Sequence, residues 1–132
     1  MSDALNARPT REAPPPAGVA LAELAIRPFQ IDVRPDRRRV VVAPCGELDV
    51  ATIPRLEDRL QELVADGWEA LVLDLRGLSF MDSTGLSLVI RQTSRRDVRV
   101  EVVDGSDPIA RLFDVAGVRE HLPFTTAGWP AP

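Results

Sequence analysis

The stretch Ala70–Arg96, ALVLDLRGLSFMDSTGLSLVIRQTSRR, limits the folds open to this chain more than any other. Leu71-Val72-Leu73-Asp74-Leu75 is a short, nearly continuous apolar run after a break at Gly67. Such a run suits a strand buried on both faces, and a central parallel strand is predicted here. Beyond Gly77, Leu86, Val89, Ile90 and Thr93 have the i, i+3, i+4, i+7 spacing of a helix that buries one face. Between the two, Met81-Asp82-Ser83-Thr84-Gly85 supplies an acid and two hydroxyls as N-cap candidates, and Gly85 lets the backbone come close to a neighbour. A serine is thus placed where a strand hands over to a helix N-terminus, a position that is accessible and whose free N–H groups favour anions.

The flanking segments extend this unit. Phe29–Val33 alternates apolar and polar residues, and Pro35-Asp36 is turn chemistry before the run Val40–Ala43, so an antiparallel hairpin is predicted. Gly46-Glu47-Leu48-Asp49 ends its second strand. Thr52 and Pro54 open an amphipathic helix over residues 53–66, with Ile53, Leu56, Leu60, Leu63 and Val64 inward. A strand is expected over Val98–Val103. Ser106 or Asp107 then caps a helix that buries Ile109, Leu112, Phe113 and Val115 or Ala116 and ends at Gly117. His121–Phe124 reads as a last short strand. The two strands that lead to Asp49 and Asp82 run parallel, so their carboxyl ends share one sheet edge, where Asp49, Ser83 and Asp74 are expected to converge.

With 132 residues there is room for one core. Residues 1–18, with Pro9, Pro14, Pro15 and Pro16, read as a disordered arm; residues 19–28 as a short segment packing on the domain; residues 29–125 as the domain; residues 126–132 as a tail. All 16 basic residues are arginine, which excludes a P-loop lysine, a Schiff base and a phospho-aspartate receiver lysine. The net charge of −4 without a basic stripe argues against nucleic acid, and Arg37-Arg38-Arg39 reads as a solvated turn. The lone Cys45 reads as a buried strand thiol. Without an h-region or a spanning apolar run, a cytoplasmic protein with no membrane association is expected.

An acidic cluster beside a hydroxyl admits several readings. Asp82 or Ser83 caps the helix and does nothing more. Ser83 with His121 makes a hydrolase, though Ser83 lies in no Gly-x-Ser-x-Gly elbow. Asp49 and Asp74 hold magnesium, a weak cage of two carboxylates. Or Ser83 is a phosphorylation switch.

Three blocks bear on this choice: Gly46-Glu47-Leu48-Asp49; Leu73-Asp74-Leu75 with Leu78–Leu86; and Arg111–Val118, RLFDVAGV. In this order and spacing the chain resembles, over roughly Phe29 to Phe124, the anti-sigma factor antagonist group of the STAS domain family. The resemblance implies an α/β fold, a single STAS domain whose mixed sheet is flanked by helices, with the first strand antiparallel. The family's phosphorylated serine follows the aspartate of Phe-x-Asp-Ser-Ser/Thr-Gly, which here is Ser83. The implied partner-facing set is Asp49, Asp82, Ser83, Thr84, Gly85, Ser87 and Arg91. Also implied are a regulator rather than an enzyme, no cofactor or metal, an anti-sigma factor that is itself a serine kinase, a PP2C-type phosphatase acting on phospho-Ser83, and a monomer or weak dimer. The alternative is a STAS interaction module of a stressosome or transport-system complex without a serine switch. Two departures stand out: Ser87 occupies a position often glycine, and relatives usually add a final helix after the point matching Phe124. Val19–Ile26 or a second subunit is expected to cover the surface so exposed.

Overall fold

A computed structural model describes residues 28–126. The proline-rich arm, the Val19–Ile26 segment and the terminal Gly-Trp-Pro-Ala-Pro lie outside them. In chain order come β1 (Gln30–Asp36), β2 (Arg39–Leu48), α1 (Ile53–Ala65), β3 (Ala70–Asp74), β4 (Leu78–Met81), α2 (Ser83–Thr93), β5 (Arg99–Val103) and α3 (Asp107–Ala116), then a 3-10 turn at Arg119–His121. The sheet order is β1-β2-β3-β5, with β4 paired to β2 off this path. β1 is antiparallel to β2, whereas β2–β3, β2–β4 and β3–β5 are parallel. The mixed sheet with an antiparallel first strand therefore stands.

β3 is the central strand that its unbroken apolar run foretold. Leu71 and Leu73 join the main core, while Val72 faces the other side of the sheet. The helices bury most of the expected stripes: Ile53, Leu56, Leu60 and Leu63 of α1, Leu86 and Val89 of α2, Ile109 and Phe113 of α3, while Val64, Ile90, Thr93 and Leu112 are half-buried and Leu88, not expected inside, is buried. Val115 or Ala116 was expected inside, but Val115 is 79% exposed and Ala116 is exposed too. α3 reaches its glycine cap, Gly117 at φ 72°, before a further turn is buried. No helix among the described residues is long and apolar enough to cross a membrane.

The hairpin turn lies one step later than expected. Pro35 and Asp36 belong to β1, paired with Val40 and Arg39, and the reversal is made by Arg37 and Arg38. Pro35 is tolerated because β1 is an edge strand, where a missing donor leaves no ladder bond unmade. Arg37 adopts φ 63°, the left-handed conformation that a two-residue hairpin loop demands.

β4 was not foreseen. β2 is ten residues long and serves two parallel partners in succession: Val40–Val42 pair with Leu71–Leu73, and Gly46–Leu48 pair with Leu78–Met81. Pro44 lies in the gap between them. The chain leaves β3, crosses at Gly77 and rejoins β2 at Gly46, whose N–H donates to the Gly77 carbonyl at 3.3 Å. A Cβ on Gly77 would meet Cys45 Sγ at 2.8 Å, so the crossing needs glycine. Cys45 is half-buried rather than enclosed.

His121 is exposed and lies in the 3-10 turn, not in a half-buried strand. The predicted terminal strand reduces to one parallel bridge, Val102 to Phe124. Phe124 is held by an edge contact with Phe113, ring centroids 5.4 Å apart, and by the Arg119 guanidinium 4.9 Å from its ring centroid.

Candidate functional site at the start of α2

The carboxyl ends of β2 and β4 are adjacent because Leu48 pairs with Met81. The next residues are Asp49 and Asp82, and the Asp82 N–H donates to the Leu48 carbonyl at 3.4 Å. Asp49, Asp82 and Ser83 therefore do converge. Asp74 does not. It follows Leu73, which is level with Val42, so it lies some six residues back along β2 from Asp49, roughly 20 Å at about 3.3 Å per residue. It is 1% exposed and receives the Arg76 backbone N–H at 3.1 Å and the Arg76 guanidinium at 3.0 and 2.9 Å. Its role is to hold the turn after β3. Among the described residues no group of three or more His, Cys, Asp or Glu is placed to hold a metal ion.

Asp82 is the N-cap of α2, with extended backbone and a side chain that accepts the N–H groups of Thr84 and Gly85 at 3.0 and 3.1 Å. The Thr84 hydroxyl donates to the same oxygen, Asp82 Oδ1. That hydroxyl, aided by the two backbone N–H groups, holds the Asp82 carboxyl below the ordinary value of 3.8, against the opposing effect of desolvation. Ser83 is the first residue of the helix and is exposed, and its hydroxyl has no hydrogen-bond partner among the described residues. Two hydroxyls adjacent in sequence thus have different chemistry: one is tied to the cap and the other is free.

Asp49 holds the turn that leads into α1, whose N-cap is Thr52. Its Oδ1 accepts the N–H groups of Ala51 and Thr52 at 3.0 and 3.3 Å, while Thr52 Oγ1 accepts the Asp49 N–H at 3.0 Å and donates to the Glu47 carbonyl at 2.8 Å. Asp49 is thus a structural acceptor as well as an edge carboxylate.

Gly85, expected to face a partner, faces inward. It is buried, and a Cβ there would meet Met81 Cγ at 2.4 Å and Leu48 Cδ2 and the Leu48 carbonyl at 3.2 Å. Its absent side chain lets the first turn of α2 sit directly on the ends of β2 and β4. Ser83, Ser87 and Arg91 are exposed and follow at i, i+4, i+8, one outer stripe of α2. Arg91 is ion-paired with Glu57 of α1 at 2.6 Å, with 54% and 39% of the two side chains exposed.

Two apolar residues around the site were missed. Val50, directly after Asp49, is 74% exposed, and Phe80, two residues before Asp82, is 46% exposed. Phe80 is the aromatic of the Phe-x-Asp-Ser-Ser/Thr-Gly motif and Val50 an apolar residue beside a strand-end acid, and neither signal distinguishes a core residue from a surface one. No hydrogen bond joins His121 to Ser83, so a serine–histidine pair is not assembled.

This strand, cap and helix arrangement is matched by known proteins. The STAS domain family model matches residues 30–127. The chain belongs to the STAS domain family. Among relatives of this STAS protein is the anti-sigma-B factor antagonist of Staphylococcus aureus, 37% identical over 80 residues that make up 58% of this chain and 74% of the relative. Among solved structures, an anti-sigma factor antagonist from Mycobacterium paratuberculosis superposes with a TM-score of 0.63 at 28% identity, over 74% of this chain and 85% of the other. The antagonist SpoIIAA in its unphosphorylated form superposes with a TM-score of 0.57 at 24% identity, over 74% and 86% of the two chains, and in its phosphorylated form with a TM-score of 0.53 at 24% identity, over 74% and 89%. This last likeness establishes the fold.

Proposed function

We propose that this STAS protein is an anti-sigma factor antagonist whose partner binding is switched by phosphorylation of Ser83. Relatives and structural neighbours bearing the antagonist name support the role. The choice of residue is supported chiefly by the free, exposed Ser83 hydroxyl beside a Thr84 hydroxyl already bound to Asp82. A kinase needs an oxygen it can reach and deprotonate, and Ser83 offers one without dismantling the cap.

The unmodified surface combines a small neutral hydroxyl with exposed Phe80 and Val50 and with the outer stripe of α2. A partner can desolvate such a patch cheaply. Phosphate on Ser83 adds about −1.5 to −2 charges between Asp82 and the neighbouring Asp49. The Thr84 and Gly85 N–H groups are already taken by Asp82 Oδ1, so the phosphate finds few open donors in the first turn. Burying it unpaired against a partner costs several kcal/mol, and each ~1.4 kcal/mol is tenfold in affinity. The partner implied is an anti-sigma factor with serine kinase activity, and a PP2C-type phosphatase restores the binding form.

The deciding experiment is incubation with a serine-kinase anti-sigma factor of the same cell and ATP, followed by phosphopeptide mapping. Label on Ser83, with loss of the complex, is expected. Label on Thr84, or none from a kinase that binds, overturns the assignment.

A further inference from the structure

Side-chain alternation sorts the sheet residues onto two faces. Val40, Val42, Leu71, Leu73, Val100 and Val102 share one cluster with the buried residues of all three helices. Val41, Val72 and Val103 point the other way and form a second cluster that contains no helix residue. They are nonetheless 1%, 1% and 7% exposed. Register places Val41 beside Val72, and Val103 beside Asp74 two residues further along. The stripe crosses three strands, about 10 Å at a strand spacing of about 4.8 Å.

On this face Asp74 lies beside Val103 and is held by Arg76 at 2.9 Å, and the other charged residues pair around the valines. Arg39 reaches Asp36 at 3.0 Å and Glu101 at 3.8 Å, and the side chains of Arg39 and Glu101 remain 28% and 33% exposed. Arg34, level with Val41, pairs with Asp32 at 3.3 Å and is 43% exposed. These pairs rim the valines and leave an apolar centre whose burial calls for a further cover.

We propose that the chain's own segment Val19–Ile26 docks on the Val41–Val72–Val103 face. Its sequence, VALAELAI, has one charged residue, Glu23, so leaving it in water forgoes about 25 cal/mol for every Å² of apolar surface. Only Arg27 and Pro28 separate it from Phe29, which is fixed where Arg55 donates to its carbonyl at 3.1 Å and lies 5.0 Å from its ring centroid. β1, which follows, is the neighbour of β2 in the sheet, so the segment is tethered one strand from Val41. Eight residues span about 12 Å as a helix, close to the width of the stripe. A second copy is a poorer occupant, because three valines supply only a few hundred Å², well short of about 800 Å² per partner in a stable interface. The inference is independent of the Ser83 reading, since this face is built by β2, β3 and β5 away from the start of α2.

Methyl NMR on the full chain tests it. Cross-relaxation is expected between the Val41 and Val72 methyls and those of Leu21, Leu24 or Ile26, with a monomer mass by sedimentation. Leu24→Asp should shift the Val41 and Val72 methyl resonances and lower Tm by several degrees. Absence of cross-peaks between segment and valines in the wild-type chain overturns the proposal even if the variant fails to fold. So do cross-peaks that arise only between differently labelled copies, which would assign the face to a second subunit.

Discussion

The Thr84 hydroxyl donates to Asp82 Oδ1, the oxygen that also accepts the Thr84 and Gly85 backbone N–H groups. One carboxylate oxygen thereby caps α2 and binds the Thr84 hydroxyl, while the exposed Ser83 hydroxyl has no hydrogen-bond partner among the described residues.

Ser83→Ala should bind the anti-sigma factor constitutively and accept no phosphate, while Ser83→Asp should fold normally and bind at least tenfold more weakly. Thr84→Ala should still be phosphorylated on Ser83. Titration calorimetry and mapping of the labelled peptide check all three.

Asp82 confers a pH dependence of known sign. Its carboxyl is held below 3.8 in the folded chain, so its contribution is full above that ordinary value and is lost as pH falls through the depressed one. Asp82→Asn should flatten the acid limb of Tm against pH. Asp82→Ala should cost about 0.5–2 kcal/mol at neutral pH, the usual worth of an N-cap, read from urea denaturation.

The Ala51 and Thr52 N–H groups bond to the Asp49 carboxylate, so Asp49→Ala should lose about 1 kcal/mol. Asp49→Asn keeps an acceptor and should restore much of that stability. If Asn restores the fold but not partner affinity, the charge itself faces the partner; equal loss of affinity and stability in both variants leaves Asp49 a purely structural residue.

Gly85→Ala places a methyl 2.4 Å from Met81 Cγ. Overpacking of this kind costs about 1–3 kcal/mol, and Met81→Ala in the same chain should recover part of it. Equilibrium unfolding of the single and double variants measures the coupling.

Phe80→Ser should weaken partner binding several-fold while shifting Tm by no more than a few degrees, because the ring is already 46% exposed. A large fall in Tm would show that Phe80 packs against the domain instead.

Much of the fold was legible from local pattern. The unbroken run at Leu71–Leu75 marked a strand buried on both faces, the spacing of Leu56, Leu60 and Leu63 marked α1, and Gly117 marked the end of α3. These features depend on periodicity and backbone preference within a few residues, which sequence carries directly. Asp82, Ser83 and Thr84 were likewise visible as a capping cluster. Val115 misled because the periodicity of α3 continues past the part of the helix that the core covers.

Other features depend on register between segments far apart in the chain. β4 is four residues long with two of them exposed, and nothing in LSFM distinguishes it from a loop until Gly46–Leu48 pairs with it. That pairing sets Asp49 beside Asp82 and leaves Asp74 behind, although all three are acids at strand ends. Which hydroxyl is free and which glycine is buried follow from the same junction. Sequence by itself determined which residues could cap, turn and alternate; tertiary structure decided which of them meet, because strand pairing joins residues that no local period relates.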